Sequence, residues 1–357
     1  MFCIAAFIIF AVLGIFSVRY RTLAKKSWGC VLRKITFKPC DISVQEEIKS
    51  RLVGKFIFTK PRLARFINRW ASTLAFIFVA LSVWSLFSVF NSGLNLFVYD
   101  TCNPNNPESC ALAGEGCGIT SGKPGFWLSL KEGQVITWAK DDVLTFIETI
   151  SRIPNRLKTW DATAYVSELN TYYKPFDSQK PIALEIIDPG CKFCAKLFGN
   201  IKETGFADRY NLTYFVYPIP DHKVADGYRF PNSFMIASYL EALKKYPLSG
   251  IDTPSDWQIL EKVFMGKDVD NIAYQIKFNT TYTSGEAEDL LLSWLADMGY
   301  TESERQTIQK MAHSDEIKSR LSQQKTIVED KIQTIKIPTI MFDGRRYDRA
   351  VEPEKLK

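Results

Sequence analysis

Residues 187–198 read IDPGCKFCAKLF. Cys191 and Cys194 stand two residues apart, straight after an apolar run. The preceding stretch PIALEIID is short and apolar enough to be a strand, and CKFCAKLFGNIKETGF follows helical spacing to a stop near Gly205. Cys191 then falls in the first helical turn. Free N–H groups and the helix dipole there favour a thiolate, and Lys192 adds positive charge. Three chemistries use a Cys-x-x-Cys: half a zinc site, a structural disulfide, or a redox dithiol. Zinc needs two further Cys or His ligands. The chain's two histidines, His222 and His313, stand at no finger spacing. A disulfide across so small a loop stabilises little. The redox dithiol fits best, with Cys191 attacking and Cys194, one turn later, resolving.

Working outward, NLTYFVYPI is rich in aromatic and β-branched residues and reads as a second strand. Strand, helix, strand at this spacing is a βαβ unit with parallel strands. A long helical stretch covers about 230–332. IKIPTIMFDGRRYDRA then reads as a strand, an Asp-Gly turn and a second strand.

This order resembles the thioredoxin superfamily. The helical insertion of about a hundred residues resembles, within it, the bacterial extracytoplasmic disulfide oxidoreductases of the DsbA type. The resemblance covers about 178–357 and rests on DPGCKFC and on Ile337-Pro338-Thr339, about 145 residues later. It implies an α/β thioredoxin-like fold. It also implies a cis Pro338 facing the cysteine pair, with Ile337 and Thr339 beside the sulfurs and the loop binding substrate backbone. An X–Pro bond is cis in only about 5% of cases, so that expectation belongs to the resemblance and not to the dipeptide. Lys192 and Phe193, between the cysteines, are substrate-facing positions that help set redox poise. They differ from the Pro-His and Gly-Pro pairs of the best-known members, which leaves oxidase, reductase and isomerase directions open. Asp188 reads as a helix cap or an exposed carboxylate, with a proton relay to Cys194 as the alternative. His222 reads as a loop residue. Phe193, Tyr217, Tyr228, Phe230 and Tyr347 are candidates for an apolar substrate groove, against ordinary core or rim positions.

The 357 residues suffice for one or two domains plus extra segments. Residues 2–18 and 70–90 carry no charge, and about 20 apolar residues cross a bilayer core. The first run has no positive segment before it and no small-x-small cleavage site after it, so a signal peptide fits poorly. The expected layout is a transmembrane helix over 1–18, a basic cytoplasmic loop over 19–69 and a second transmembrane helix over 70–92. A Cys-containing loop with a helical linker (93–177) and the thioredoxin-like domain (178–357) follow. Between Arg19 and Arg69 there are 14 Lys/Arg against three Asp/Glu, which holds that loop in the cytoplasm and puts both termini outside a bacterial-type membrane. The rest of the chain is mildly acidic, so the net charge of +6 reflects topology and anionic lipid, not nucleic-acid binding. Residues 134–172 show amphipathic helical spacing broken near Pro154.

Cys30 and Cys40 fall in the cytoplasmic loop and read as reduced structural cysteines. Cys3 lies near the outer membrane face. Cys102, Cys110 and Cys117 fall outside, where disulfides persist, and suggest one local structural disulfide with one cysteine left over, free or paired between chains; a second redox relay among the three is the alternative.

The leading functional expectation is a membrane-anchored extracytoplasmic thiol–disulfide oxidoreductase. It would need no metal or organic cofactor. Its partners would be cysteine-containing secreted or membrane proteins, a membrane redox partner that recycles the pair, and membrane lipids. The competing readings are a binding, assembly or copper-handling module without turnover, and a structural membrane protein with a degenerate domain.

Overall fold

The computed structural model describes positions 61–357 except 111, 120–122, 124, 169, 222–223, 225–226 and 249, together with 22, 25, 28 and 29. The first expected span, Cys3, Cys30, Cys40 and His222 lie outside the described residues. The chain forms two compact units, Met1–Asn91 and Ser92–Lys357.

Helix α1 runs Pro61–Tyr99. Its segment Phe76–Tyr99 is long and apolar enough to cross a membrane, and only 11% of its most apolar window is buried, unlike the core helix of a soluble protein. The expected span 70–92 overlaps this segment. From Trp70 to Tyr99 no charge or proline interrupts the helix, and the φ of 57° at Asp100 marks its end.

In the second unit, strand β1 (Cys117–Gly118) precedes helices α2 (Phe126–Lys131), α3 (Val135–Ser151) and α4 (Ile153–Leu157). Pro154 lies in the first turn of α4, where its missing N–H costs nothing. Strand β2 (Ile182–Ile187), helix α5 (Lys192–Glu203) and strand β3 (Asn211–Val216) form the expected βαβ unit, with β2 and β3 parallel. Ala183, Leu184, Ile186 and Ile187 are all buried, as a strand covered on both faces requires. Gly205, in the left-handed region at φ 61°, ends the α5 segment.

The insertion holds α6 (Ser233–Lys245), α7 (Ser255–Met265), α8 (Tyr274–Thr280), α9 (Ser284–Asp297), α10 (Glu302–Ala312) and α11 (Asp315–Thr326). A π-helical turn, Ile327–Ile332, closes it. Capping boxes Thr283/Glu286 and Thr301/Glu304 start α9 and α10.

The stretch IKIPTIMF, read from sequence as one strand, is two. Strand β4 (Lys336–Ile337) ends at Pro338, which has no N–H for a ladder, and β5 (Thr339–Phe342) begins after it. Strand β6 (Arg345–Tyr347) returns through Asp343-Gly344, both at positive φ as a tight hairpin turn demands. Helix α12 (Pro353–Leu356) closes the chain. The main sheet has the order β3-β2-β5-β6, with β5 antiparallel to both neighbours. Parallel βαβ, helical insertion and antiparallel hairpin are the thioredoxin-like arrangement. Strand β4 leaves this sheet and pairs antiparallel with β1.

Candidate functional site

The turn Asp188-Pro189-Gly190 carries the chain from β2 into α5, and Cys191 is the N-cap residue of that helix. Asp188 builds the turn. Its Oδ1 accepts from Gly190 N at 2.8 Å and from the Ser233 hydroxyl, and its Oδ2 accepts from Ile219 N at 2.7 Å. Asp188 is fully buried, which excludes the exposed-carboxylate alternative, and its oxygens bond the turn and Ile219 but no N–H of α5, so it does not cap that helix. Two amides on α8 hold the outer side. Gln275 Nε2 donates to the carbonyls of Pro189 (2.8 Å) and Cys191 (3.2 Å), and Asn279 Nδ2 donates to that of Gly190 (2.8 Å). Phe230 closes against Gly190 so tightly that a Cβ there would stand 2.4 Å from the ring carbon Cγ.

Cys194 is a buried free thiol one turn into α5, with Asp188 N 3.4 Å from its sulfur. Burial pushes this thiol well above its ordinary value, and the charges of Asp188 and Glu185 add to the effect. Burial also raises Asp188 to about 6, against the hydrogen bonds from Ser233, Ile219 and Gly190. Glu185, in the middle of β2, is 1% exposed and is pushed by burial up to about 8. Its Oε1 has no hydrogen-bond partner among the described residues. Burial thus raises both carboxyls, and the charge of each acts on the Cys194 thiol.

Across from the cysteines, the Ile337–Pro338 peptide bond is cis, as the family resemblance implied. The Ile337 carbonyl oxygen lies 3.4 Å from Cys191 Sγ. Thr339 does not sit beside the sulfurs as expected. Its hydroxyl turns into a buried cluster with Thr334 (2.8 Å), Asp348 (3.1 Å) and the Lys336 carbonyl (2.9 Å), which fixes the loop from behind.

Cys191 is not bonded to Cys194. Its disulfide runs to Cys117, and Cys102 pairs with Cys110. One local disulfide was expected in the loop, and Cys102–Cys110 is that bond. The cysteine expected to be left over or paired between chains is instead joined within the chain to the site. Cys117 is brought there by β1, where it stands opposite Ile337.

A cavity of about 530 Å³ opens beside Cys117, lined among others by Lys192, Phe193, Arg229, Phe230 and Ile276. Of the groove candidates, Phe193 and Phe230 line this cavity. Tyr217 does not, because it is buried with its hydroxyl on Glu329 (2.8 Å). Tyr347 stacks on Phe342 in the hairpin, and Tyr228 stacks on Phe234. Among the described residues no cluster of His, Cys, Asp and Glu could hold a metal ion.

Sequence reading missed Glu185, Gln275 and Asn279. Glu185 had a signal, as the single ionisable residue inside the apolar run Ile182–Ile187. The two amides had none, because their partners are more than 80 residues away.

No family model matches the sequence, and no curated protein is detectably similar to it in sequence. Solved structures align with part of the chain. MdbA, a thiol-disulfide oxidoreductase from Corynebacterium diphtheriae, aligns at 12% identity over 51% of this chain and 85% of its own, with a TM-score of 0.38. ScsC from Proteus mirabilis aligns at 12% identity over 64% and 94%, with a TM-score of 0.36. The thiol-disulfide exchange protein alpha-DsbA2 from Wolbachia pipientis aligns at 14% identity over 52% and 83%, with a TM-score of 0.35.

Proposed function

We propose that this protein is a thiol–disulfide oxidoreductase acting on cysteines of other proteins, anchored by an apolar helix and working outside the cytoplasm. The observation that carries the reading is the position of Cys191. It caps α5, has a buried thiol one turn behind it, and faces the Ile337 carbonyl at 3.4 Å. Anchoring is supported by the apolar segment Phe76–Tyr99, and orientation by the basic stretch 19–69.

The positive end of α5 stabilises a thiolate on Cys191, which makes it both the better nucleophile and the better leaving group. With Cys191 bonded to Cys194, a substrate thiolate attacks Cys191 Sγ. A mixed disulfide forms and Cys194 leaves as the thiolate. A second substrate thiolate then attacks the substrate sulfur of that mixed disulfide, which forms the substrate disulfide and frees Cys191. Run backwards, the same steps reduce a substrate. Cys194 must lose and regain a proton in either direction. Asp188 and Glu185, whose charges act on Cys194, are the candidates to exchange it. Gln275 and Asn279 hold the turn still while Cys191 changes partners.

The test is exchange of the full chain in detergent with glutathione buffers, read by alkylation of free thiols. Cys191→Ser should abolish exchange at the site. Cys194→Ser combined with Cys117→Ser should accumulate mixed disulfides with a cysteine-containing peptide, because neither sulfur that could displace the peptide from Cys191 remains. A protein whose alkylation pattern ignores glutathione would be a binding module and not an enzyme.

A further inference from the structure

We infer that Cys117 is a third redox cysteine of this site, and that residues 114–119 are a tethered occupant of its substrate groove which Cys194 releases. The inference rests on the oxidoreductase reading above and adds a residue and a step to it.

The segment lies in the groove as an extended peptide would. Cys117 and Gly118 pair antiparallel with Ile337 and Lys336, and Ile119 N donates to Ile335 O at 2.8 Å. On the other side Ala350 N donates to Glu115 O at 2.7 Å. This is recognition by strand addition, in which main-chain hydrogen bonds give affinity and the side chain between them gives specificity. Here that side chain is Cys117, and its sulfur is bonded to Cys191. The local sequence Gly-Glu-Gly-Cys-Gly suits so close an approach. A Cβ on Gly116 would stand 3.3 Å from Ile337 O, and one on Gly118 would stand 3.0 Å from the Pro107 ring.

Arg229, Lys196 and Lys336 hold the segment itself, and Arg349 holds the loop ahead of it. Arg229 pairs with Glu108 at 2.7 Å and donates to Gly118 O at 3.1 Å. Lys196 pairs with Glu115 at 2.5 Å, and Arg349 with Asp100 at 3.0 Å. The buried Lys336 amine reaches Asp100 O (2.9 Å) and Gly114 O (3.3 Å). The Cys102–Cys110 disulfide preorganises the loop that delivers the segment.

The bond to Cys117 is one of two that Cys191 can make without any external oxidant. The Cys194 thiol gives up its proton, and its sulfur attacks Cys191 Sγ. The Cys191–Cys194 bond forms and the Cys117–Cys191 bond breaks. The departing electron pair stays on Cys117 Sγ, which takes up one proton. No electrons enter or leave, so the step is an isomerisation of one disulfide. It converts a capped site into one that an external cysteine can attack. A tethered segment presents itself at an effective concentration of about 1 mM, so an external peptide at about 10 µM competes at roughly a hundredfold disadvantage while the cap is intact.

The full chain in detergent is equilibrated over a series of glutathione ratios, acid-quenched, alkylated and digested, and its linked peptides are quantified. Two linkages are expected, Cys117–Cys191 and Cys191–Cys194. Their sum should titrate with the glutathione ratio, while their mutual proportion stays constant, because an isomerisation is indifferent to ambient potential. Cys117→Ser should leave only the second linkage and react with a low concentration of cysteine peptide at least about tenfold faster. Finding only Cys191–Cys194, with Cys117 alkylated at every ratio, overturns the inference while a Cys117→Ser protein that exchanges normally keeps the enzyme reading. A Cys117–Cys191 bond that never gives way to Cys191–Cys194 also overturns it, as a permanent staple. If neither the wild type nor Cys117→Ser exchanges with glutathione, the oxidoreductase reading falls and takes the inference with it.

Discussion

The buried carboxyl of Glu185 makes a sharp prediction about pH. Its ordinary value of 4.5 is raised to about 8 in the fold by burial. A carboxyl whose folded value lies above its unfolded one favours the folded state fully only below the unfolded value. That contribution drains away as pH rises toward the folded value, because the unfolded chain releases the proton first. Wild-type stability should therefore fall between about pH 4.5 and pH 8 and level off above. At 1.36 kcal/mol for each pH unit, the whole window corresponds to roughly 5 kcal/mol, an upper figure that relaxation of the site will reduce. Glu185→Gln keeps the shape and removes the titration. It should be near neutral at pH 5 and stabilising by a few kcal/mol at pH 8.5. For a unit of this size about 1 kcal/mol moves the melting temperature by roughly 2–4 °C, so a gap of several degrees should open between the two pH values. Cys194 does not confuse the comparison, because burial holds its thiol protonated throughout this range. The assay is tryptophan-fluorescence melting of the full chain in detergent, wild type beside variant, under one fixed oxidising buffer. Equal offsets at pH 5 and pH 8.5 would refute the reasoning.

Three further outcomes can be checked in the same system. Asp188→Ala strips the buried N–H groups of Gly190 and Ile219 of their acceptor and should cost about 3 kcal/mol or more in urea unfolding, with loss of glutathione exchange. Gly190→Ala drives a methyl into Phe230 and should cost about 1–3 kcal/mol by melting. The double change Cys102→Ser with Cys110→Ser removes a short-loop staple and should cost roughly 2–3 kcal/mol, while alkylation at Cys191 and Cys194 still responds to glutathione.

What was legible in the sequence was what short-range chemistry determines. The βαβ unit around the cysteine pair, the Asp343-Gly344 hairpin and the stop at Gly205 all follow from residues within one or two turns of each other. The partner of Cys191 did not. Cys117 lies 74 residues away, and the two meet because Pro338 splits one apparent strand and frees β4 to pair elsewhere. The role of Thr339 was misread for a related reason. A threonine after the proline is compatible with a sulfur-facing position, and only the placement of Thr334 and Asp348 turns its hydroxyl inward. From sequence Asp188 reads as a helix cap or an exposed carboxylate; it is neither, because Ser233 and Ile219, which the fold brings from beyond β3, hold it buried under the turn.

The pairing of β1 with β4 has a consequence for solubility. A site that accepts extended chains must expose an unpaired strand, and unpaired strands recruit copies of themselves and other unfolded segments into aggregates. Strand β4 offers such an edge over Lys336–Ile337, and β1 covers it with a short, glycine-flanked strand. A glycine-rich strand contributes few side-chain contacts, so the Cys117–Cys191 bond and the ion pairs around it hold the cover in place. While that bond lasts, the β4 edge is closed to other chains.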